Sequence, residues 1–198
     1  MRLGIFGGTF DPPHFGHLAL ASATREQLKL DKVLWVVAGQ SPLKQDRQLS
    51  PEEIRVEMVQ AAIADNPAFT LSRVDLDRPG PHYTVETLEI LSRQFPGAEL
   101  YFLMGEDSLR DLPKWRRPGG LIRLALLAVL GRPGAEADLD DLEGSIPGVA
   151  ARIVWVESPR LAIASSDIQQ RVREGQSVEE MVPGEVRAII EREQLYKQ

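Results

Sequence analysis

The stretch that most constrains this chain is Gly7-Gly8-Thr9-Phe10-Asp11-Pro12-Pro13-His14-Phe15-Gly16-His17-Leu18. Met1 to Phe6 reads as a short apolar strand. From His17 to about Leu30 the pattern is helical, with Leu18, Ala21, Arg25 and Leu28 on one face. Three glycines, two histidines and two consecutive prolines therefore fill one strand-to-helix turn. Such a turn contributes little to a core, because glycine has no side chain and proline no N–H. It is well suited to bringing backbone N–H groups, a helix N-terminus and two imidazoles up to a phosphate chain. A tight turn without a ligand accounts for the glycines equally well, but His-x-Gly-His at the positive end of a helix dipole favours an anion. A closed zinc site is disfavoured, since the chain has no Cys and only one further histidine, His82.

Beyond this turn, strands and helices alternate. Val33 to Ala38 is a nearly continuous apolar run, as in strands buried on both faces of a parallel sheet, and completes a right-handed βαβ unit. Gly39 to Gln48 is a polar loop that carries Lys44. Ser50-Pro51-Glu52-Glu53 predicts a helix start with a capping box, and Ile54, Met58, Val59, Ala61 and Ala62 form its buried stripe. Phe69 to Leu76 reads as a strand, and Tyr83-Thr84-Val85-Glu86-Thr87 opens a helix capped by Thr84. Glu99 to Met104 is another buried strand, ending in Gly105-Glu106-Asp107-Ser108. A carboxylate just past the C-terminal end of a parallel strand sits where open α/β sheets bind ligands.

After Pro113-Lys114-Trp115, the run Leu121 to Leu130 predicts a helix tail and a fifth strand. Gly131 to Gly148 reads as a mobile surface loop with a short helix at Leu139 to Leu142, and Arg152 to Glu157 as a sixth strand. Ser165-Ser166 marks a helix start where amides and hydroxyls converge, a second anion site, and Ser166 with Gln169 spells a capping box. Ser177-Val178-Glu179-Glu180 spells another, and Val186 to Leu195 closes the chain as an amphipathic helix. The fold class is α/β, a doubly wound parallel sheet of the Rossmann-like kind.

At 198 residues and 43% hydrophobic, residues 1–198 suit one domain, with a helical C-terminal part from about 163 to 198. The net charge of −6 disfavours a nucleic-acid partner, because phosphate backbones need a basic surface. The absence of Cys fits a reducing compartment, and the longest apolar run, Leu124 to Leu130, is too short to cross a bilayer. A cytoplasmic protein without a membrane partner is expected; assembly into a homo-oligomer is left open.

The Gly-Gly-Thr-Phe-Asp-Pro-Pro-His-x-Gly-His-Leu run resembles the signature of the H-x-G-H nucleotidylyltransferase superfamily, in the wording of bacterial nicotinate-nucleotide adenylyltransferases. The resemblance extends over nearly the whole chain, through Gly105-x-Asp107-Ser108, Pro113-x-Trp115, Ser165-Ser166 and the final Leu195-Tyr196. It implies transfer of AMP from ATP to nicotinate mononucleotide, with Mg²⁺ on the phosphates. By the same resemblance His14, His17, Lys44 and Arg171 are catalytic. Gly7, Gly8, Thr9, Phe10, His17, Gly105, Asp107, Ser165 and Ser166 bind ATP, and Thr84 and Trp115 hold the pyridine mononucleotide. No residue is assigned to a metal. The chain departs from the family at Gln169, where an Arg is usual, and at Ala38-Gly39, where Asn is frequent. A different phosphate-bearing acceptor and a non-catalytic nucleotide-binding regulator are the alternatives; a dinucleotide dehydrogenase fits poorly, because Pro12-Pro13 fall where its fingerprint needs glycine turns.

Overall fold

The computed structural model describes residues 1–39, 49–131, 138–157 and 163–197. In chain order the elements are β1 (Arg2–Gly8), α1 (Phe15–Gln27), β2 (Lys32–Val37), α2 (Glu52–Ile63), β3 (Phe69–Ser72), α3 (Thr84–Gln94) and β4 (Glu99–Gly105). Next come α4 (Glu106–Arg110), α5 (Pro118–Leu124), β5 (Ala125–Leu130), α6 (Leu139–Ser145), β6 (Ile153–Val156), α7 (Ser165–Arg173) and α8 (Gly184–Arg192). The strands form one parallel sheet in the order β3-β2-β1-β4-β5-β6. This is the expected doubly wound architecture.

Strand periodicity divides the core in two. Leu3 and Ile5, Leu34 and Val36, Leu100, Phe102 and Met104, and Leu127 and Val129 point to one face, where Val85, Leu88 and Leu91 of α3 and Leu121 of α5 cover them. The alternate residues Phe6, Val33, Trp35, Val37, Tyr101 and Leu103 point to the other face, against Leu20 and Ala21 of α1 and Val56 and Val59 of α2. A third, smaller cluster joins Met58 of α2 to Ile168, Val178, Val182, Val186, Ile189 and Ile190.

The sheet reverses direction of growth at β1, and there it opens. Pairing of β1 with β4 stops at Ile5↔Phe102, while β1 continues beside β2 to Gly8↔Val37 and β4 beside β5 to Gly105↔Leu130. The C-terminal ends of β1 and β4 thus splay into a crevice at the topological switch point, the usual ligand position in such sheets.

Several local expectations are corrected. The Ser50 capping box does not form: Pro51 is the N-cap of α2 without a side-chain cap bond, and the Ser50 N–H instead donates to Asp11 Oδ2 at 3.0 Å. Thr84 is the first residue of α3, whose N-cap is Tyr83. β3 ends at Ser72, because Asp75 turns inward to accept from Arg78 at 3.0 Å and Thr87 at 2.6 Å. Ser177 starts no helix; its Oγ accepts the Glu179 N–H in a turn, and α8 begins after Pro183. The helix expected at Leu139 to Leu142 runs on to Ser145, capped by Asp138. The rest of the predicted loop from Gly131 lies largely outside the described residues.

Candidate active site

One side of the crevice is the start of α1. His14 is its N-cap, with extended backbone at φ −147° and ψ 171°. Nδ1 of His14 accepts the His17 N–H at 3.4 Å, and Nδ1 of His17 accepts the His14 N–H at 3.2 Å. Two imidazoles thus make a reciprocal capping box, which starts the helix at Phe15 rather than His17. The rings stack at 3.6 Å, and His17 packs edge-on to Phe10 at 5.1 Å. A Cβ on Gly16 would lie 3.0 Å from His14 Nδ1, so glycine is what lets that ring close on the helix start.

Because both Nδ1 atoms accept, the proton of each neutral ring sits on Nε2. In that neutral form the pair carries two Nε2–H groups. His14 is 6% exposed, and burial lowers its pKa to about 4, Asp167 pulling weakly the other way. At neutral pH it acts as a dipolar donor rather than a cation.

A stability signature follows from this burial. The folded value of about 4 lies below the 6.5 of an exposed histidine, so between these values the unfolded chain binds more protons and stability rises with pH. Acidification through pH 6.5 to 4 is expected to cost up to about 3 kcal/mol from this group. Thermal unfolding across that window should show a shallower slope in His14→Asn, which keeps a capping acceptor but does not titrate. An unchanged slope contradicts the assignment.

The turn before His14 is tightly held. Gly8 closes on the face of Phe10, where an added Cβ would lie 2.9 Å from the ring, and Phe10 itself is left-handed at φ 50° and 2% exposed. From the C-terminal part, Ser165 Oγ donates to the Pro12 carbonyl at 2.9 Å and Gln169 Nε2 to the Asp11 carbonyl at 2.7 Å. The Phe15 N–H donates to the Met181 carbonyl at 2.9 Å, and the Tyr196 hydroxyl donates to Asp11 Oδ1. Gln169 is therefore a strut on the turn, not part of a capping box with Ser166; α7 has no side-chain cap. Ser166 is exposed at the same helix start, and Arg171 is exposed near the far end of α7, its Nε donating to the Ser177 carbonyl at 3.1 Å. Lys44 lies outside the described residues.

The opposite side of the crevice is a cavity of about 670 Å³. Gly7, Gly8 and Thr9 form its edge toward the histidines; Phe102, Tyr83, Thr84, Trp115 and Arg116 are among its walls. Trp115 stands edge-on to Phe102 at 5.9 Å and 82°, and Arg116 lies 4.8 Å over the ring of Tyr83. Asp75 and Thr87 add a polar floor, braced by Arg78, which also pairs with Glu86 at 3.1 Å. Gly105 ends β4 at the crevice, and Asp107, two residues on, is exposed and paired with Arg110 at 2.6 Å.

The structure thus brings Gly7, Gly8, Thr9, Phe10, His14, His17, Ser165, Thr84 and Trp115 around one crevice. Arg55 and Asp75, which carried no assignment in the sequence, and Asp11 and Tyr196, which appeared there only within quoted motifs, are hydrogen-bonded around or behind the crevice. The signal for Arg55 was its position, a cation inside the buried stripe of α2 beside Val56, Met58 and Val59.

Strand order, crevice and paired donors define a nucleotide-binding α/β protein, and the match of the cytidylyltransferase-like family model to residues 5–171 gives that class its name. The chain belongs to this family and, within it, to the nicotinate-nucleotide adenylyltransferases. A probable nicotinate-nucleotide adenylyltransferase of Thermomicrobium roseum is 48% identical over 99% of this chain and 92% of its own. One of Thermus thermophilus is 43% identical over the whole of both chains. Solved structures of the Plasmodium falciparum nicotinic acid mononucleotide adenylyltransferase share the fold. The one complexed with NaAD has a TM-score of 0.78 at 19% identity, covering 98% of this chain and 97% of that one. The one complexed with APC has a TM-score of 0.76 at 18% identity, covering 98% and 96%.

Proposed function

We propose that this chain transfers AMP from ATP to nicotinate mononucleotide, releasing pyrophosphate and forming the deamido dinucleotide. The observation that carries the reading is the two-sided crevice: paired imidazole donors on one side of Gly8 and Thr9, an aromatic-walled cavity on the other. Two nucleotides bound there would meet at the turn.

The chemistry asks little covalent help of the protein. The acceptor phosphate is already ionised at neutral pH, so it needs no general base. One of its oxygens bonds to the α-phosphorus of ATP while the bond from that phosphorus to the α–β bridging oxygen breaks, and pyrophosphate leaves with the electron pair. Charge accumulates on the phosphate oxygens, where fixed donors stabilise it. In this proposal the Nε2–H groups of His14 and His17, the backbone of Gly7, Gly8, Thr9 and Phe10, and the α7 start at Ser165 and Ser166 contact the triphosphate. Lys44 and Arg171 supply cationic charge, and Gly105 and Asp107 meet the adenosine. Thr84 at the start of α3 and the ring of Trp115 hold the pyridine. Among the described residues no group of three or more His, Cys, Asp or Glu is placed to hold a metal ion; Mg²⁺ bound with ATP would supply neutralising charge at the phosphates, beside the donors of His14, His17 and the turn.

No helix among the described residues is long and apolar enough to cross a membrane. Since ATP is an intracellular metabolite, the proposal includes a cytoplasmic location. The test is pyrophosphate release by purified protein across an acceptor panel with ATP. Release is expected with nicotinate mononucleotide, and no release with it above a His17→Ala control would refute the reading.

A further inference from the structure

The most deeply buried cation described in the structure has no contact with the cavity, yet it touches the turn that edges it. Arg55, in the first half of α2, is 1% exposed. Its Nη1 donates to the Thr9 carbonyl at 2.9 Å and the Ala38 carbonyl at 2.7 Å, and its Nε donates to the Ser50 carbonyl at 3.1 Å. One guanidinium therefore ties the segments that follow β1 and β2 to the start of α2.

Asp11, 4% exposed, is the acidic neighbour that acts on this cation most, and Glu52 and Tyr196 also bear on it. Asp11 is fixed in turn by the Ser50 N–H and the Tyr196 hydroxyl. Removing a guanidinium from water is costly, and the charge-assisted bonds to three carbonyls offset that cost only in a defined geometry.

We propose that Arg55 is a positioning residue for nucleotidyl transfer, acting through the Thr9–Phe10 and Ala38–Gly39 peptide planes. The inference rests on the function proposed above. In a trans peptide the N–H of the following residue points opposite to the carbonyl. With the carbonyls of Thr9 and Ala38 drawn toward Arg55, the N–H groups of Phe10 and Gly39 point away from it, and Thr9 and Ala38 both line the cavity. The same bond to Thr9 holds the peptide that leads into the left-handed Phe10. That conformation is unfavourable for a residue with a side chain, so it needs surrounding contacts to persist. Without Arg55 the turn relaxes, and the donors around the phosphates lose their common aim.

The experiment compares Arg55→Met, Arg55→Lys and the control Arg192→Met by ATP affinity, kcat for pyrophosphate release and thermal unfolding. Arg192 lies on α8 and pairs with Glu57 of α2 at 2.7 Å, so its loss perturbs the same helix without touching the turn. At a temperature where each variant is folded, Arg55→Met is expected to lose about 100-fold in kcat and about tenfold in ATP affinity, as for misplacement near one ångström. Arg55→Lys is expected to recover no more than about tenfold of that kcat, because one ammonium does not span the three carbonyls. Arg192→Met should stay within about twofold in kcat and ATP affinity. A folded Arg55→Met within threefold of wild type in both quantities overturns the proposal, because a merely structural arginine would lower only the unfolding temperature. Should Arg55→Met fail to fold, Arg55→Lys decides: wild-type kcat and affinity overturn the proposal, and a kcat loss of tenfold or more supports it. A wild-type protein that neither binds ATP nor releases pyrophosphate refutes the functional reading instead.

Discussion

His17→Ala is expected to lower kcat about 10²- to 10³-fold while changing the Kd for ATP by no more than about threefold. The ring of His17 is held from two sides, by the bond from the His14 N–H to its Nδ1 at 3.2 Å and by the edge contact with Phe10. A donor fixed in this way cannot follow the phosphate, so it is most effective where the charge develops. Ground-state triphosphate has other partners along the turn and the α7 start, which is why affinity should change little. Removing the side chain also breaks half of the imidazole capping box and loosens the bond that fixes the tautomer of His14. His17→Asn, which retains an amide to accept the His14 N–H, separates the two effects: kcat should stay low while stability returns. Equal losses in kcat and ATP affinity would contradict the transition-state role.

Trp115→Ala is expected to raise the KM for nicotinate mononucleotide about 10- to 100-fold and leave the KM for ATP within about threefold. Trp115 follows a short 3₁₀ turn at Leu112–Lys114, whose hydrogen bond to the Leu112 carbonyl fixes its backbone, and its indole stands edge-on against Phe102. Trp115 also lines the cavity, and its indole is the apolar surface the residue contributes there. Stacking a pyridine ring on it and removing both faces from water is worth about 1.5 to 3 kcal/mol, the range of the expected change. Trp115→Phe should recover most of the loss. An unchanged acceptor KM in a folded Trp115→Ala would show that the pyridine binds elsewhere. A proportional rise in both Michaelis constants would point to collapse of the cavity rather than loss of one wall.

The architecture was legible because its signals are local and repeated. Strands such as Val33 to Val37 show unbroken apolar runs that only a two-faced sheet can bury, and the structure distributes Val33, Trp35 and Val37 to one face and Leu34 and Val36 to the other. The histidine turn was legible for a similar reason, since the residue types of one short stretch carried the chemistry. The errors fell where a local pattern met a distant competitor. Ser166 with Gln169 reads as a capping box, but the Gln169 amide finds the Asp11 carbonyl, 158 residues away, and takes it. Ser50 reads as a cap, but its backbone belongs to Asp11 and Arg55. Arg55 falls on the buried face of α2, and only the three carbonyls that converge on it explain why a cation is tolerated there. Most of these partners come from segments separated in the chain and brought together by the fold, and no nearest-neighbour pattern encodes them. The departure at Gln169 also takes a structural meaning: its neutral amide braces the turn at the Asp11 carbonyl.

Attack of an acceptor phosphate on the α-phosphorus is tested most directly by following the oxygen that bridges the α- and β-phosphates. With ATP carrying a heavy-oxygen label at that bridge and nicotinate mononucleotide as acceptor, mass spectrometry should find the label in the released pyrophosphate and none of it in the adenylate-containing product. Retention of the bridge label in an adenylate product would mean that the bond on the β-phosphate side breaks, and would contradict nucleotidyl transfer in this crevice.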